Sequence, residues 1–475
     1  MTFTVHDLIS LSPVLLIGVG ILATLIIEML VKESEKILGW FTFVLLLSVA
    51  YLSLILLDHT ALVFEDKFLT GGRVNIFFFL FSFGAAVVSL LSMEYIKKAG
   101  IHFGEYYIML LSSVLGMMLI SGATDFIMIF IGLEQMSVCF YVLAGFNRRN
   151  ERSLEAALKY FLLGSFATGF LVFGLGLIYG AVGSLSITEI VIGYETLKTS
   201  PLFLTGTLLF IIGFSFKIAA VPFHMWVPDV YQGAPTSVTA LMSTTGKAAA
   251  FSALIIIFSP IIQAAYPSFF TPVISVLAVL SMLYGSIVAI SQNDLKRMLA
   301  YSSIAHAGYM LIGLAAWNEK GVSGVIFYLV AYTFMNLAAF GLISLIEKRD
   351  LRGTEFSDYK GLGFKQPVLA GLMALTMFAL SGIPPFAGFF GKYYVFLSAI
   401  EAGMTWLAIV GVISSVISVY FYLRLIVVMY FDNSDEIVMV TPSTSAMLGI
   451  MISVLLIIIM GVAPGSIINL INSTF

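Results

Sequence analysis

Apolar runs of about 18 residues or more follow one another through almost the whole chain, and they constrain its fold more than any other feature. A run of about 20 apolar residues is long enough to cross the hydrocarbon core of a bilayer as an α-helix. Of the 475 residues, 60% are hydrophobic and 10% are charged, whereas soluble domains carry roughly 25% charged residues. The sequence therefore predicts an all-α polytopic membrane protein.

Glycine, proline and charge clusters divide the apolar runs into about fourteen predicted transmembrane helices. We expect them at roughly 8–31, 38–58, 74–96, 105–121, 125–145, 153–180, 201–222, 235–258, 271–291, 297–316, 321–347, 366–398, 404–431 and 441–471. The shortest separation is the turn-like segment from Ser121 to Asp125. No Lys or Arg precedes the first run, so it is predicted to be a retained helix and not a cleaved signal peptide.

The distribution of basic residues predicts the orientation of these helices. With the N-terminus outside, the loops facing the cytoplasm contain Lys32, Lys36, Lys97, Lys98, Arg148, Arg149, Arg152, Lys296, Arg297, Lys348, Arg349, Arg352, Lys360 and Lys365. The opposite loops contain Lys67, Arg73, Lys198 and Lys320. Because cytoplasmic loops carry an excess of Lys and Arg, this bias favours an N-terminus outside the membrane.

Other charges fall inside the predicted helices. Lys159 and Arg424 lie close to predicted cytoplasmic helix ends, where long side chains reach the interface. Glu134, Lys217, Lys247 and Lys392 lie deeper, among apolar neighbours. A charge at the bilayer centre costs several kcal/mol on insertion scales, so such residues usually face a bundle interior or a water-filled path. These four are the candidate functional residues.

Two helices are predicted to be broken. The segments VPFHMWVP, Val221 to Pro228, and GIPPFAGFFGK, Gly382 to Lys392, each place prolines near a buried lysine. Proline removes a backbone donor, which hydrocarbon cannot replace, so breaks of this kind lie within protein or beside water. The prolines concerned are Pro222, Pro228, Pro384 and Pro385.

The two breaks correspond when the sequence is shifted by 162 residues, which aligns Pro222 with Pro384. Paired breaks are typical of transporters built from structural repeats. We predict an N-terminal three-helix segment at 1–104, inverted five-helix repeats at 105–258 and 271–431, and a C-terminal helix at 441–475. Lys217 precedes its break, whereas Lys392 follows its own.

The buried charges suggest a chain of proton-holding sites. Burial disfavours a charged lysine and a nearby carboxylate favours it, so Glu134 and Lys217 are an adjustable pair if they meet in the fold. His306 and His224 are candidate relays, with a structural hydrogen-bonding role as the alternative for each. The single cysteine, Cys139, excludes an internal disulfide and a cysteine-ligated metal or redox centre in this chain. GLGLIYG, Gly174 to Gly180, indicates close helix packing and not a phosphate loop.

Three segments resemble one family. They are KIAAVPFHMWVPDVYQGAPTSV from Lys217, KRMLAYSSIAHAGY from Lys296, and SGIPPFAGFFGK from Ser381 to Lys392. They are similar to the antiporter-like subunits of proton-pumping NADH:quinone oxidoreductase, respiratory complex I, and the similarity covers essentially the whole chain. The resemblance implies fourteen helices and a proton path. In that path Glu134 matches the fifth-helix glutamate, Lys217 the seventh-helix lysine paired with it, Lys247 the eighth-helix lysine, and Lys392 the twelfth-helix lysine facing the outer exit.

The resemblance also implies partners. NADH, FMN, iron-sulfur clusters and quinone are expected in other subunits, with no cofactor in this chain, and the adjacent proteins are expected to be antiporter-like subunit M and small subunit K. The location implied is the bacterial inner membrane. A formal net charge of -3 gives no sign of nucleic-acid binding. The alternatives are a subunit of a stand-alone multisubunit cation/proton antiporter and a purely structural scaffold.

Overall fold

The computed structural model describes residues 4–31, 34–100, 103–264, 270–347, 353–433 and 442–475. These residues are mostly α-helical. The helices of the first part are α1 Val5–Ser10, α2 Ser12–Leu30, α3 Glu35–Ile55, α4 Gly72–Ala99, α5 Glu105–Gly122, α6 Phe126–Ala144, α7 Glu151–Val182, α8 Ile187–Leu197 and α9 Pro201–Ile218. Between α3 and α4, strands β1 Ala61–Val63 and β2 Phe68–Thr70 pair in antiparallel fashion, with Ala61 opposite Thr70.

The central part begins at the first helix break. It contains α10 Val227–Gly233, α11 Thr236–Leu241, a π-helical turn Met242–Gly246, α12 Lys247–Ala264, α13 Phe270–Ile290, α14 Leu295–Ala316 and α15 Glu319–Ile346. The last part contains a 3₁₀ turn Phe356–Tyr359, α16 Leu362–Lys365, α17 Pro367–Ser381, α18 Ala387–Glu401, α19 Thr405–Phe431, α20 Thr444–Val462 and α21 Pro464–Asn472.

Thirteen helices of the described chain are long and apolar enough to cross a membrane. Their ends agree closely with the predicted segments, and the turn-like segment from Ser121 to Asp125 does separate α5 from α6. The predicted helix 366–398 is divided into α17 and α18, as its prolines indicated. The hairpin β1–β2 and the helix α8 were not predicted. Lys32, Lys348, Arg349 and Arg352, which support the predicted orientation, lie outside the described residues.

The most buried helices form the centre of the bundle. In the most apolar windows of α14, of α15 and of the span Thr236–Ile257, 94% of the residues are buried, against 33% for α7 and α19. Because a lipid-facing helix exposes one side, such complete burial means that protein surrounds these three spans. Lys247 and His306 lie on them, and both are buried within the protein.

Glycines allow neighbouring helices to approach closely. A Cβ on Gly174 of α7 would lie 2.6 Å from the carbonyl oxygen of Gly206 on α9, and a Cβ on Gly206 would lie 2.8 Å from that of Gly174. Gly116 on α5 and Gly132 on α6 meet in the same reciprocal way. Small residues at such crossings are the usual means of close packing in membranes. The packing interpretation of GLGLIYG therefore holds at Gly174, whereas Gly176 meets no atom within 4 Å.

Candidate proton-transfer site

The first break follows α9. The helix ends at Ile218, and Ala219 adopts a left-handed conformation with φ of 64°. The freed backbone groups find partners: the amide of Ala220 bonds to the carbonyl of Ser215, and the amide of Val221 donates to the Ser281 hydroxyl at 2.9 Å. Pro222 lies in the turn, while Pro228 lies in the first turn of α10. This satisfies the requirement that a break within the membrane leave few backbone groups unpaired.

The second break separates α17 from α18. The left-handed Gly382, with φ of 84°, ends α17, and Pro384 and Pro385 occupy the connection. The Lys392 ammonium returns from α18 to donate to the carbonyl of Ser381, the last residue of α17, at 2.8 Å. Helix C-termini carry a partial negative charge, which stabilises a cation there.

This geometry accounts for the asymmetry between the two breaks. Lys217 lies in the last turn of α9 and so precedes its break in sequence. Lys392 follows its break, but its side chain reaches back to the end of α17. In both places a buried lysine is therefore associated with the C-terminal end of an interrupted helix.

Glu134 and Lys217 lie near each other without direct contact. The Lys217 ammonium donates to the Ser137 hydroxyl at 2.8 Å and lies 3.5 Å from the Tyr141 hydroxyl. The Thr168 hydroxyl donates to the Glu134 carboxylate at 2.8 Å. Among the ion pairs within 4 Å in the described residues, none joins Glu134 to Lys217. Ser137, one turn beyond Glu134 on α6, accepts the Lys217 hydrogen bond and donates its own to the Leu133 carbonyl, and the sequence did not identify this serine.

Lys247 follows the π-helical turn and is 2% exposed. Its ammonium donates to the carbonyl of Ser303 at 2.7 Å and to the hydroxyl of the same residue, and it lies 5.6 Å from the centre of the Tyr332 ring. The ion pairs of the described residues give it no carboxylate partner. π-helical turns are rare in proteins, and those that do occur are frequently found at functional sites. Lys247 is thus a buried amine held by neutral oxygens.

Lys392 is 4% exposed and also bonds to neutral groups. Besides the Ser381 carbonyl, its ammonium donates to the Ser415 hydroxyl at 2.8 Å and lies 5.0 Å from the centre of the Tyr309 ring. The Tyr309 hydroxyl is 3.1 Å from that of Ser414. A cavity of about 390 Å³ adjoins the lysine and is lined mainly by apolar side chains of α18 and α19.

His306 lies between two buried lysines, Lys247 on α12 and Lys392 on α18. Its Nδ1 is 2.8 Å from the Tyr328 hydroxyl and its Nε2 is 3.0 Å from the Tyr422 hydroxyl. Ser303, which holds Lys247, precedes His306 by three residues on α14, and Tyr309, which faces Lys392, follows it by three. Residues three apart share a helix face. One face of α14 therefore connects the surroundings of Lys247 with those of Lys392.

His224 lies away from the polar groups that surround His306. It follows Pro222 in the first break, and its ring is 4.6 Å from that of Tyr284. Its Nδ1 is buried and has no hydrogen-bond partner among the described residues. The hydrogen bonds of Lys217 go to Ser137 and Tyr141 and not to this histidine. The structure therefore connects His306, but not His224, to a line of polar groups.

A charged cluster at Asp229 was not predicted as a site. The Asp229 carboxylate accepts hydrogen bonds at 2.7 Å from Lys159 and from Arg297, which belong to α7 and α14. Partial burial acts to raise the pKa of Asp229, but these two hydrogen bonds outweigh it and hold the pKa below its usual value. The carboxylate therefore stays ionised at neutral pH. It fixes the short helix α10 to its neighbours.

In the described residues, no group of three or more His, Cys, Asp or Glu side chains is arranged to hold a metal ion. The site thus consists of interrupted helices, buried amines, one carboxylate and a row of hydroxyl groups. This combination defines an ion-translocating membrane protein, because it places protonatable groups in series inside the bilayer.

Comparison with known proteins identifies the family. The description "NADH:quinone oxidoreductase/Mrp antiporter, TM" matches residues 123–418, and the chain belongs to this family of membrane subunits. It is 45% identical over 411 residues to NADH-quinone oxidoreductase subunit N 1 of Chloroherpeton thalassium, covering 86% of this chain and 85% of that protein. It is 42% identical over 440 residues to NADH-quinone oxidoreductase subunit N of Trichlorobacter lovleyi, covering 91% and 90%.

A solved structure agrees with these relatives. A chain in respiratory complex I from Thermus thermophilus superimposes with a TM-score of 0.82 at 30% identity, over 96% of this chain and 98% of that chain. The resemblance to the antiporter-like subunits of complex I, seen first in three sequence segments, is therefore confirmed.

Proposed function

We propose that this chain carries protons outward across the membrane as a membrane-arm subunit of an NADH:quinone oxidoreductase, driven by electron transfer from NADH to quinone in other subunits. The observation that carries the proposal is the set of three buried lysines, Lys217, Lys247 and Lys392, whose hydrogen bonds go to hydroxyl and carbonyl oxygens. An amine held by neutral oxygens can exchange its proton without leaving an unpaired carboxylate behind.

The proposed path has two parts. In the first, a change in the field at Glu134 alters how firmly Lys217 holds its proton. In the second, the proton on Lys247 moves by way of Ser303, His306 and Tyr309 to Lys392, from which it leaves. Moving one proton against 100 mV costs about 2.3 kcal/mol. A change of about two pKa units at one group, at 1.36 kcal/mol each, is of comparable size.

Two features of the protein surface support contact with neighbouring subunits. Glu134 is half-buried and Gln135 is exposed on the outer side of α6, in the middle of a predicted membrane span. Polar side chains at that depth need a protein partner and not lipid. The cavity beside Lys392 opens on the faces of α18 and α19. We propose that antiporter-like subunit M and small subunit K are the proteins that cover these surfaces, in a bacterial inner membrane and with the N-terminus outside.

The cofactors belong to the partners in this proposal. NADH, FMN, iron-sulfur clusters and quinone would be bound by other subunits, and this chain would contribute proton transfer alone. The two inverted repeats, 105–258 and 271–431, would each supply one interrupted helix and its lysine.

Replacement of Lys217 with alanine tests the proposal. In membrane vesicles driven by NADH, the variant is expected to lower the rate of proton uptake by about tenfold or more, since the first relay amine is lost. The amount of assembled complex, measured on a native gel, is expected to be unchanged. Normal proton uptake by an assembled Lys217→Ala complex would contradict the assignment.

A stand-alone cation/proton antiporter is the second candidate, because the matching family description also names the Mrp antiporter. It predicts exchange of sodium or potassium for protons in vesicles without NADH. The same vesicles therefore distinguish the two functions. Exchange that needs no NADH and survives removal of the dehydrogenase would favour the antiporter.

A further inference from the structure

A second buried acid–base pair lies away from the residues described above. The Lys296 ammonium is 3.4 Å from the Glu347 carboxylate, and the side chains of both residues are 1% exposed. The loop position expected for Lys296 is therefore wrong, because its side chain is enclosed. The other ion pairs of the described residues all have side chains that are at least 28% exposed. This pair alone among them is removed from water.

The helix dipoles oppose the charges of this pair. Lys296 lies in the first turn of α14, where the helix dipole is positive, and Glu347 caps the C-terminus of α15, where it is negative. Each charge at the wrong helix end costs about 0.3–1 kcal/mol. An ion pair that served stability alone would gain from the opposite arrangement. The pair is therefore held by its direct contact and by the hydrogen bonds from Lys296 to the Ala234 carbonyl and from Thr236 to Glu347, and not by the helix dipoles.

The pair is joined to the helix that carries Lys247. Lys296 donates to the carbonyl of Ala234 at 2.8 Å, and the hydroxyl of Thr236 donates to Glu347. Thr236 begins α11, which continues through the π-helical turn to Lys247. Lys247 lies eleven positions after Thr236 along this helix, a rise of about 16 Å.

Near Lys247, at the far end of the helix segment that begins at Thr236, lie buried polar atoms with unused hydrogen-bonding capacity. Tyr332 and Asn336, on α15, are each at most 1% exposed. The Tyr332 hydroxyl faces the side chains of Ser303 and Asn336, yet neither this hydroxyl nor the Asn336 side-chain oxygen has a hydrogen-bond partner among the described residues. Buried polar groups of this kind are usually satisfied by ordered water. Glu347 is at the end of the same helix.

We propose that Glu347 and Lys296 form a proton-loading pair that supplies Lys247 from the predicted cytoplasmic side, an inference that rests on the proposed function. In the loading step the N–H bond of the Lys296 ammonium breaks and an O–H bond forms on Glu347, which leaves both groups neutral. Glu347 then releases this proton through water beside Asn336 and Tyr332 to the neutral Lys247 amine. The Lys296 amine takes up a new proton from the aqueous side, which restores the ion pair.

Other groups around Glu347 have fixed roles in this scheme. The Lys98 ammonium donates to the carbonyl of Leu345 at 2.6 Å, on the last turn of α15. Tyr95 and Tyr359 are buried and interact electrostatically with the Glu347 carboxylate. None of these three donates a hydrogen bond to the carboxylate, whereas Thr236 does. Thr236 therefore orients Glu347, while Lys296 exchanges the proton.

The substitution Glu347→Gln in the complete complex tests the pair. Glutamine keeps the shape and accepts the Thr236 hydrogen bond, but it cannot take up a proton. We expect NADH-driven proton uptake to fall by about tenfold with normal assembly, since one relay step is lost, and Glu347→Asp to retain most of it. The control is Glu401→Gln, which removes an exposed carboxylate paired with Lys320 and should leave uptake unchanged.

Normal proton uptake by Glu347→Gln would overturn the proposal. If that variant assembles poorly, the double variant Glu347→Gln with Lys296→Met leaves no unpaired buried charge. Lost uptake in its assembled fraction would support the proposal, and normal uptake would overturn it. Infrared difference spectra under turnover should show a protonated carboxylic acid that Glu347→Gln lacks, a signal that a structural clamp would not give. Normal proton uptake by the Lys217→Ala complex would instead contradict the proposed function itself.

Discussion

Replacement of Lys247 with methionine is expected to lower NADH-driven proton uptake strongly while leaving the complex assembled. The methionine side chain fills a similar space, and the buried site loses a charge that no carboxylate within 4 Å balances in the described residues. Assembly should therefore be unaffected or improved. Proton transfer towards His306 loses the amine that Lys247 supplies. The rate of proton uptake is therefore expected to fall by about tenfold or more, equal to a barrier increase of at least about 1.4 kcal/mol.

The measurement is the initial rate of vesicle acidification after addition of NADH, divided by the amount of complex on a native gel. Lys198→Met is the matched control, because Lys198 is an exposed lysine paired with Glu195 on the surface. Equal rates for Lys247→Met and Lys198→Met would show that the central lysine is only structural. That result would support the scaffold alternative.

The second large effect is expected from Gly174→Val on α7. The added Cβ would lie 2.6 Å from the carbonyl oxygen of Gly206 and 2.8 Å from the amide nitrogen of Phe210. Both obstacles are backbone atoms of α9, so the two helices must separate. Overpacking of this kind costs about 1–3 kcal/mol or more. We expect a lower melting temperature and less assembled complex, because the close crossing of α7 and α9 is lost.

Gly176→Val on the same helix is the control. A Cβ on Gly176 has no atom within 4 Å in the described structure. Both substitutions change the intrinsic helix preference equally, so the difference between them isolates the helix crossing. Melting of the purified complex, followed by light scattering, checks the prediction. Equal melting temperatures for the two variants would show that the α7–α9 contact does not limit stability.

Much of the fold followed from the sequence because lipid leaves few choices. Each long apolar run had to become a helix, since an unpaired backbone group in hydrocarbon costs several kcal/mol. The prolines at Pro222 and Pro384 located the two interruptions for the same reason. The hairpin β1–β2 and the amphipathic helix α8 were missed, because elements this short do not produce a comparable signal.

The candidate site was only partly predictable. The insertion cost of a charge made Glu134, Lys217, Lys247 and Lys392 stand out in the sequence. Their partners did not, because Ser137, Ser303 and Ser415 resemble many other serines in the chain. The interface position expected for Arg424 also needed the structure, where its guanidinium donates to the carbonyl of Gln292 at 2.9 Å and to the Asn293 side chain.

The sequence by itself determined that this protein spans a membrane with interrupted helices and buried amines, because both features have a large free-energy cost that depends on local composition. Tertiary structure alone decided which polar groups meet. It gave Lys217 the Ser137 hydroxyl as its partner, brought the Lys392 ammonium to the end of α17, and enclosed Lys296 with Glu347. Contacts between helices far apart in sequence depend on packing geometry, and no local pattern contains that geometry.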